Sequence, residues 1–358
     1  MSTISLCMIV KNEEEVLARC LHSARGLWDE LIIIDTGSTD RTREIAAQFT
    51  QHVYDFAWID HFSAARNFAF SKGTCDYLMW LDADDIILPD DHAAFLQLKQ
   101  TLDPAVDTVM MKYNIAFDEQ GKPTFSYYRE RLLRRDPRAK WEGAIHEVIT
   151  PFGMIIHSPV AITHRRKEKS DPNRNLRLFE NLLARGETLN PREQFYYARE
   201  LFYHARYDDA VRAFTQFLDG GKGWVENNIE ACRVMAQCLQ ALNEPEHARR
   251  TLLRSFEYDT PRAEVCCELG YYHFAKAEYE PAMQWYKTAL LCPRKDTSGA
   301  FVLEECYGYL PHMQLCVCYD RLGRHDFAIA HNEEAGKLRP QSPAYLHNKK
   351  YFEEKGGA

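Results

Sequence analysis

The stretch Tyr77-Leu-Met-Trp-Leu-Asp-Ala-Asp-Asp85 joins an apolar run to a cluster of carboxylates. An apolar run of this length is typical of a buried strand, and the acidic residues after it lie at the strand's carboxyl end. In open α/β sheets, ligands bind beyond the carboxyl ends of the strands. Two carboxylates at positions i and i+2, Asp82 and Asp84, can address one hard cation. The stretch therefore predicts an α/β sheet with a cation site at its edge.

Outward from this stretch, apolar runs of strand length alternate with segments of helical spacing. The predicted strands are Ile4–Val10, Glu30–Ile34 and Gln51–Asp55, and the predicted helices are Glu13–Ser23, Thr39–Phe49 and Ser63–Ser71. Alternation of this kind is typical of a parallel sheet with right-handed crossovers. We therefore expect a mostly parallel α/β domain over residues 1–165.

The polar residues after the other strands are further candidates for ligand contacts. Asp35 opens the run Asp35-Thr-Gly-Ser-Thr-Asp40, where its carboxylate could accept hydrogen bonds from a base or a ribose, although the run also fits an ordinary turn with a helix N-cap. No G-x-G-x-x-G loop indicates a dinucleotide. Arg66, on the helix before the acidic strand, offers a guanidinium to a phosphate or is a plain surface arginine.

The second half of the chain has a different pattern. After about residue 190 the strand signal disappears, and helical segments carry a loose repeat marked by Ala210, Ala248, Ala282 and Ala328. A period near 34 residues with a small residue at the helix contact is typical of tetratricopeptide repeats, and an unrelated helical bundle is the alternative. We expect such a repeat domain over residues 191–358, which would position an acceptor or form a homodimer.

A basic connector over residues 166–190 is expected between the two domains. Its basic cluster begins just before it and is either a phosphate clamp or a solvated linker; its members are His164, Arg165, Arg166, Lys167, Lys169 and Arg174.

Composition excludes several classes of protein. A formal net charge of -8 argues against a surface built to bind polyanions throughout. No apolar segment approaches the roughly 18–20 residues that span a bilayer. The 11 cysteines are an odd number and do not indicate a disulfide framework. These features favour a cytoplasmic protein with reduced thiols.

Four motifs together resemble the signatures of family 2 glycosyltransferases with the GT-A fold, a Rossmann-like, mostly parallel α/β sheet. They are Ile4-Ser-Leu-Cys-Met-Ile-Val-Lys-Asn-Glu13, Ile34-Asp-Thr-Gly-Ser-Thr-Asp40, Ala65-Arg-Asn67 and Trp80-Leu-Asp-Ala-Asp-Asp85. The nearest resemblance is to bacterial lipopolysaccharide-core glucosyltransferases and to S-glycosyltransferases that modify bacteriocin peptides, which also carry tetratricopeptide-like helices. It implies transfer of a sugar from a nucleotide donor, commonly UDP-linked, with inversion and with Mn²⁺ or Mg²⁺ as cofactor.

The resemblance also implies roles for the residues that match its motifs. The nucleoside pocket would be bordered by Ile9, Val10, Asn12 and Glu13, with Asp35 contacting uracil or ribose. Arg66 would approach the diphosphate or uracil, and Arg165 and Arg166 would close over the diphosphate. Asp82 and Asp84 would hold the ribose and metal. His164 would complete the metal shell, with a structural role or a direct phosphate contact as the alternatives. Many family members have a second acidic residue where Thr36 stands.

The acceptor side is predicted from the segments Tyr128–Arg135 and Trp141–Glu147, which resemble the acceptor segment of this subfamily. An inverting displacement needs a general base opposite the leaving group. Glu147 is the first choice, His146 the second and Glu142 the third, and a salt-bridged carboxylate is the alternative role of Glu147. Trp141 either stacks on a sugar or packs in the core.

The sequence therefore predicts a metal-dependent inverting glycosyltransferase of bacterial or phage type. Its donor would be a UDP-sugar carrying a glucose-type hexose or N-acetylhexosamine, and its acceptor a peptide, a protein or a cell-envelope glycan. The alternatives are an inactive scaffold whose repeats bind a peptide, a nucleotidyltransferase, and an enzyme that modifies a hydroxylated base in phage DNA. Nucleic acid is the less favoured acceptor, contacted by a stripe comprising Arg129, Arg131, Arg134, Arg135, Arg138 and Lys140.

Overall fold

A computed structural model describes residues 2–117, 121, 123–165, 171–295 and 298–356. The chain forms two compact units, Met1–Glu193 and Gln194–Ala358. The first unit is an α/β domain, and the second consists of helices.

The first unit is built on one large sheet with helices on its faces. Its strands are β1 (Ile4–Val10), β2 (Glu30–Asp35), β3 (Val53–Asp55), β4 (Tyr77–Trp80), β5 (Asp85–Ile86), β6 (Thr108–Phe117), β7 (Pro123–Arg134) and β10 (Ile155–His164), and a separate hairpin pairs β8 (Trp141–Glu142) with β9 (Val148–Ile149). Its helices are α1 (Leu17–Ser23), α2 (Thr42–Ala47), α3 (Phe62–Lys72), α4 (Pro89–Thr101) and α5 (Arg174–Ala184).

The strand order β3-β2-β1-β4-β7-β6-β10-β5 explains why the polar motifs meet. Strands β3, β2, β1 and β4 run parallel, so their carboxyl ends lie at one edge. Alternate residues of β1 enter two different cores, with Leu6 and Met8 on one face of the sheet and Cys7 on the other. The expected parallel α/β domain is confirmed in this half of the sheet.

The other half of the sheet was not predicted in detail. Strand β7 runs antiparallel to both of its neighbours, β4 and β6, and β5 runs antiparallel to β10. Helix α5 also lies within residues 166–190, where the sequence analysis expects a connector. Apolar residues that recur on one face of this helix are buried, Leu178, Phe179 and Leu182 among them, which explains why it forms.

The second unit is an array of helices. They are α6 (Pro191–Tyr203), α7 (Tyr207–Asp219), α8 (Val225–Ala241), α9 (Pro245–Arg254), α10 (Ala263–Ala275), α11 (Tyr279–Leu291), α12 (Tyr309–Arg321), α13 (His325–Leu338) and α14 (Pro343–Gly356). From α7 onward each helix packs against the next one in the chain. The small residues that mark the repeat are fully buried, namely Ala210, Ala248, Ala282 and Ala328. The helical repeat architecture is therefore confirmed.

None of the helices in the described residues is long and apolar enough to cross a membrane.

Candidate functional site

The carboxyl ends of β1, β2 and β4 bring the predicted motifs to one edge of the sheet. Val10 pairs with Asp35, and the N–H of Thr36 donates to the carbonyl oxygen of Val10 over 2.9 Å. Cys7 pairs with Trp80 at the end of β4, so the acidic turn starts beside the same strand ends. The pairing of the strand backbones thus brings these polar segments to the same edge of the sheet.

A cluster of three side chains at this edge has the composition of a cation site. The ligand atoms of Asp84, Asp85 and His164 all lie within 4.8 Å of one another. Asp85 in β5 and His164 in β10 are paired in the sheet, which explains how residues so far apart in the chain meet. Two carboxylates and an imidazole are suitable ligands for Mn²⁺, and their oxygens also suit Mg²⁺.

The charge balance of the cluster also fits a cation. Burial and the nearby Asp82 and Asp85 raise the pKa of Asp84, although His164 opposes them. Burial alone would lower the pKa of His164, but its hydrogen bond to Asp85 and the surrounding carboxylates raise it. The surrounding carboxylates therefore favour positive charge at His164, and a divalent cation would be attracted by the same carboxylates.

Asp85 was not singled out by the sequence analysis, and the structure gives it a central place. It is fully buried and accepts hydrogen bonds from Tyr113 Oη at 2.9 Å and Arg131 Nη1 at 3.2 Å. It also lies 3.3 Å from Nδ1 of His164. The same ring nitrogen lies 3.5 Å from Oδ1 of Asp84, so Nδ1 of His164 faces both carboxylates of the cluster.

Asp82 points away from this cluster and toward Arg66. The guanidinium of Arg66 donates from Nη2 to Asp82 Oδ1 over 2.7 Å and from Nε to Glu147 Oε1 over 2.5 Å. Burial would raise the pKa of Asp82, but Arg66 and Arg131 lower it to about 2. One buried cation thus joins the acidic turn to the residue predicted as general base.

Trp141 lies beneath this bridge rather than facing solvent. Only 2% of it is exposed, and it packs edge-on against Trp80 with the ring centroids 5.0 Å apart. The guanidinium carbon of Arg66 lies 4.7 Å from the centre of a Trp141 ring. Of the two roles left open for Trp141, packing is the one that its burial supports.

The proposed nucleoside side of the edge includes a buried acceptor with an unused oxygen. Oδ1 of Asp35 accepts the N–H groups of Gly37 and Ser38, both at 2.9 Å. Oδ2 is buried without a hydrogen-bond partner, which is unusual for a carboxylate oxygen. Asn12 instead fastens the neighbouring turn, because its Oδ1 accepts the N–H of Thr39 over 2.8 Å.

The remaining predicted residues are distributed around the edge. Val10 is buried and Ile9 partly buried, while the N–H of Glu13 donates to Thr42 Oγ1 over 2.7 Å. Glu142 is exposed, and the ring of His146, which has a positive φ of 55°, stacks on Phe179. The N–H of Arg165 donates to the carbonyl of Asp84 over 2.9 Å. Arg166, with Lys167 and Lys169, lies outside the described residues.

The arginines considered for contact with nucleic acid do not form a free basic stripe. Arg131 is fully buried on Asp85, and Arg129 pairs with the buried Glu130. Arg134 and Arg138 pair with carboxylates of their own surroundings, Asp107 and Asp136. The sequence showed a run of charges but not the partners that neutralise them.

Comparison with known proteins agrees with this geometry. Residues 5–161 match the family described as Glycosyl transferase family 2. The N-terminal unit is a family 2 glycosyltransferase domain. The predicted combination of this domain with helical repeats is thereby confirmed. The match ends just before His164, so the family assignment does not itself cover that candidate ligand.

Relatives match either less than half of the chain or about three quarters of it. A TPR repeat-containing protein of Synechococcus elongatus is 37% identical over 150 residues, which are 42% of this chain and 36% of that protein. The SPbeta prophage-derived glycosyltransferase SunS of Bacillus subtilis is 25% identical over 289 residues, which are 76% of this chain and 66% of SunS. The chain thus spans between about a third and two thirds of these relatives. A crystal structure of MamA, 22% identical, aligns with a TM-score of 0.37 over 45% of this chain and 84% of MamA.

Proposed function

We propose that the protein is a divalent-metal-dependent, inverting glycosyltransferase that uses a UDP-sugar. The observation that carries the proposal is the Asp84–Asp85–His164 cluster at the carboxyl edge of the glycosyltransferase sheet. Asp84 and His164 are the proposed ligands, and Asp85 lies beside both of them. A bound Mn²⁺ or Mg²⁺ would supply positive charge to a leaving diphosphate.

The donor nucleotide is proposed to lie along the ends of β1, β2 and β4. Oδ2 of Asp35 is a buried acceptor without a partner, and a uracil N–H or a ribose hydroxyl would satisfy it. Asp82, held at 2.7 Å by Arg66, is fixed in position to accept from the ribose. These contacts support a nucleoside at this edge, and the choice of uracil follows from the family resemblance.

Glu147 is proposed to act as the general base on the acceptor side. Its carboxylate would take the proton from the attacking O–H or S–H group of the acceptor. The new bond then forms at the anomeric carbon as the bond to the diphosphate oxygen breaks, which inverts the configuration. Arg66 positions the base because it grips Oε1 of Glu147 and Asp82 at once. His146 remains the second candidate.

A peptide or protein is the proposed acceptor, with a cell-envelope glycan as the other candidate. The proposal rests on the resemblance of the motifs to enzymes that modify bacteriocin peptides and on the helical repeats that accompany them here. DNA is less favoured because Arg131 is fully buried and because Arg129, Arg134 and Arg138 are paired with carboxylates. Cytoplasmic location, and a dimer through the helices, remain proposals.

A nucleotide-sugar screen tests the proposal. We expect UDP-sugars with Mn²⁺ to raise the melting temperature and to be hydrolysed slowly, because a ligand that binds only the folded state stabilises it. Asp84→Asn should abolish both effects, whereas Asp90→Asn, on the exposed first turn of α4, should retain them. A wild-type protein that responds to no UDP-sugar would contradict the proposal, and an unchanged Asp84→Asn response would favour the scaffold alternative. Transfer of nucleotide instead of sugar would identify a nucleotidyltransferase.

A further inference from the structure

The helical unit holds a piece of its own chain in a groove. The loop between α11 and α12 contains the stretch Ala300–Leu303, which is called here the groove segment. Ala300, Phe301 and Val302 line a small pocket together with residues of α8 and α10. The segment has no helix or strand structure. It contacts the helices through its side chains and through the N–H of Leu303, as a bound peptide would.

An aromatic side chain anchors the segment. The ring of Phe301 lies 6.0 Å from the ring of Phe195, which itself packs on Phe217 at 5.7 Å. The guanidinium carbon of Arg199 lies 4.8 Å from the centre of the Phe301 ring. An aromatic ring between another ring and a guanidinium gains both packing and cation–π energy. The groove thus provides a defined place for one aromatic side chain.

A carboxylate fixes the backbone two residues after the anchor. Oε1 of Glu264 accepts the N–H of Leu303 over 2.7 Å, and Oε2 accepts from Tyr307 Oη over 3.1 Å. The two other carboxylates that line the pocket are already neutralised, Glu226 by Arg262 and Glu230 by Arg233. Glu264 is therefore placed to contact a peptide N–H rather than a charged side chain.

The segment is held at the surface rather than built into the core. Phe301 and Val302 are half-buried, and Leu303 is 39% exposed. Neighbouring hydrogen bonds stay within the loop, from the N–H of Val302 to the carbonyl of Ala300 and from the N–H of Ala300 to Ser298 Oγ. Such a segment can leave the groove without opening the packed helices beneath it.

We infer that this groove is a binding site for a peptide with an aromatic side chain, and that the groove segment occupies it until such a peptide replaces it. The peptide would place its aromatic ring against Phe195 and Arg199 and present to Glu264 the N–H two residues further on. That this peptide is also the sugar acceptor rests on the proposed function; its binding does not.

Fluorescence anisotropy with a labelled peptide of the loop sequence, Ser-Gly-Ala-Phe-Val-Leu-Glu-Glu, tests the inference. The segment of the intact chain competes at an effective concentration on the order of millimolar. Full-length Phe301→Ala should therefore bind the peptide at least about tenfold more tightly than the wild type. Phe327→Ala, which removes an exposed phenylalanine of α13, should behave as the wild type. A peptide with alanine in place of its phenylalanine should not bind.

The assay contains no nucleotide sugar, so its result is independent of sugar transfer. Equal peptide binding by the wild type, Phe301→Ala and Phe327→Ala would overturn the inference, as would equal binding of the alanine peptide. Leu303→Pro provides a second test if Phe301→Ala does not fold. It removes the N–H that Glu264 accepts and keeps the aromatic anchor, so it should also strengthen binding of the added peptide. Failure of this folded variant to do so would equally overturn it.

Discussion

At the scale of single residues, Arg66 links two parts of the proposed site. Its side chain is 9% exposed and holds two carboxylates from different segments, Asp82 at 35% and Glu147 at 12% side-chain exposure. Breaking a buried ion pair by removing one partner leaves an uncompensated charge and costs about 3–5 kcal/mol. The bridge also sets the position of the proposed base. Arg66 therefore contributes to stability and to geometry together.

We predict that Arg66→Lys destabilises the protein by about 1–3 kcal/mol, because one ammonium cannot replace the two-pronged guanidinium and one buried carboxylate loses its donor. Urea unfolding measures this change. Arg43→Lys is the matched control, since Arg43 and its partner Asp55 are 45% and 74% exposed and surface pairs contribute at most about 1 kcal/mol. Equal losses in the two variants would show that the bridge to Asp82 and Glu147 has no special role.

Residues at strand ends could be predicted from the sequence, and their partners could not. Asp84 was proposed as a ligand from its position after a strand and His164 from the family resemblance, and the two side chains lie close together in the structure. Asp85 escaped notice because the i, i+2 pattern drew attention to Asp82, which instead turns to Arg66. The direction in which a carboxylate points depends on cations from distant segments, such as Arg131 in β7. That information is absent from local spacing.

At the scale of elements, the contact between α10 and α11 depends on a residue without a side chain. A Cβ atom added at Gly270 would lie 2.6 Å from Cε1 of Tyr286. Tyr286 is 1% exposed and packs in the core of the last repeats. The two helices can therefore approach this closely only while position 270 is glycine.

We predict that Gly270→Ala lowers the free energy of unfolding by about 1–3 kcal/mol, the usual cost of overpacking a core, even though alanine has the higher helix propensity. The loss should be smaller when Tyr286→Leu is already present, because the clashing ring is gone. A double-mutant cycle by chemical denaturation measures this coupling. Additive effects of the two substitutions would mean that the ring of Tyr286 is not the cause of the loss.

Elements whose apolar residues recur with a regular period could be predicted from the sequence. Strands that form by pairing with distant segments of the chain could not. The strands β1, β2 and β3 and the helices between them follow from apolar runs and turns. Strands β6, β7 and β10 were not predicted in this way, and they interact mainly with one another. Helix α5 was not predicted, because the basic stretch before it and the pair Asp171-Pro172 are typical of a linker.

At the scale of the whole molecule, stability depends on pH through a pair of histidines. Nδ1 of His312 in α12 lies 2.9 Å from Nδ1 of His331 in α13. Burial lowers the pKa of both, and for His331 the neighbouring His312 and Lys287 lower it further, while Glu334 opposes the shift in each. Lys337 acts on His312 in the same direction as burial. The folded state thus favours neutral rings.

We predict that this pair makes the protein less stable as the pH falls below about 6.5, the ordinary value for histidine. The unfolded chain binds more protons there than the folded chain, so acid favours unfolding until the folded-state values are passed. His331→Gln should reduce the loss of stability between pH 7.5 and pH 5.5, measured by urea unfolding, relative to His347→Gln on α14. The same loss in both variants would remove the pair as its cause.

The pairing of β5 with β10 has a consequence for the order in which the protein is made. Asp85 and His164 are opposite each other in one antiparallel rung, with Thr163 opposite Ile86 beside it. A ribosome makes the aspartate long before the histidine, and the strand that carries the histidine is the last one of the sheet. The nascent domain can therefore complete most of its sheet while the cation cluster is still open on one side. The proposed metal site is complete only after the last strand of the sheet, β10, has been made.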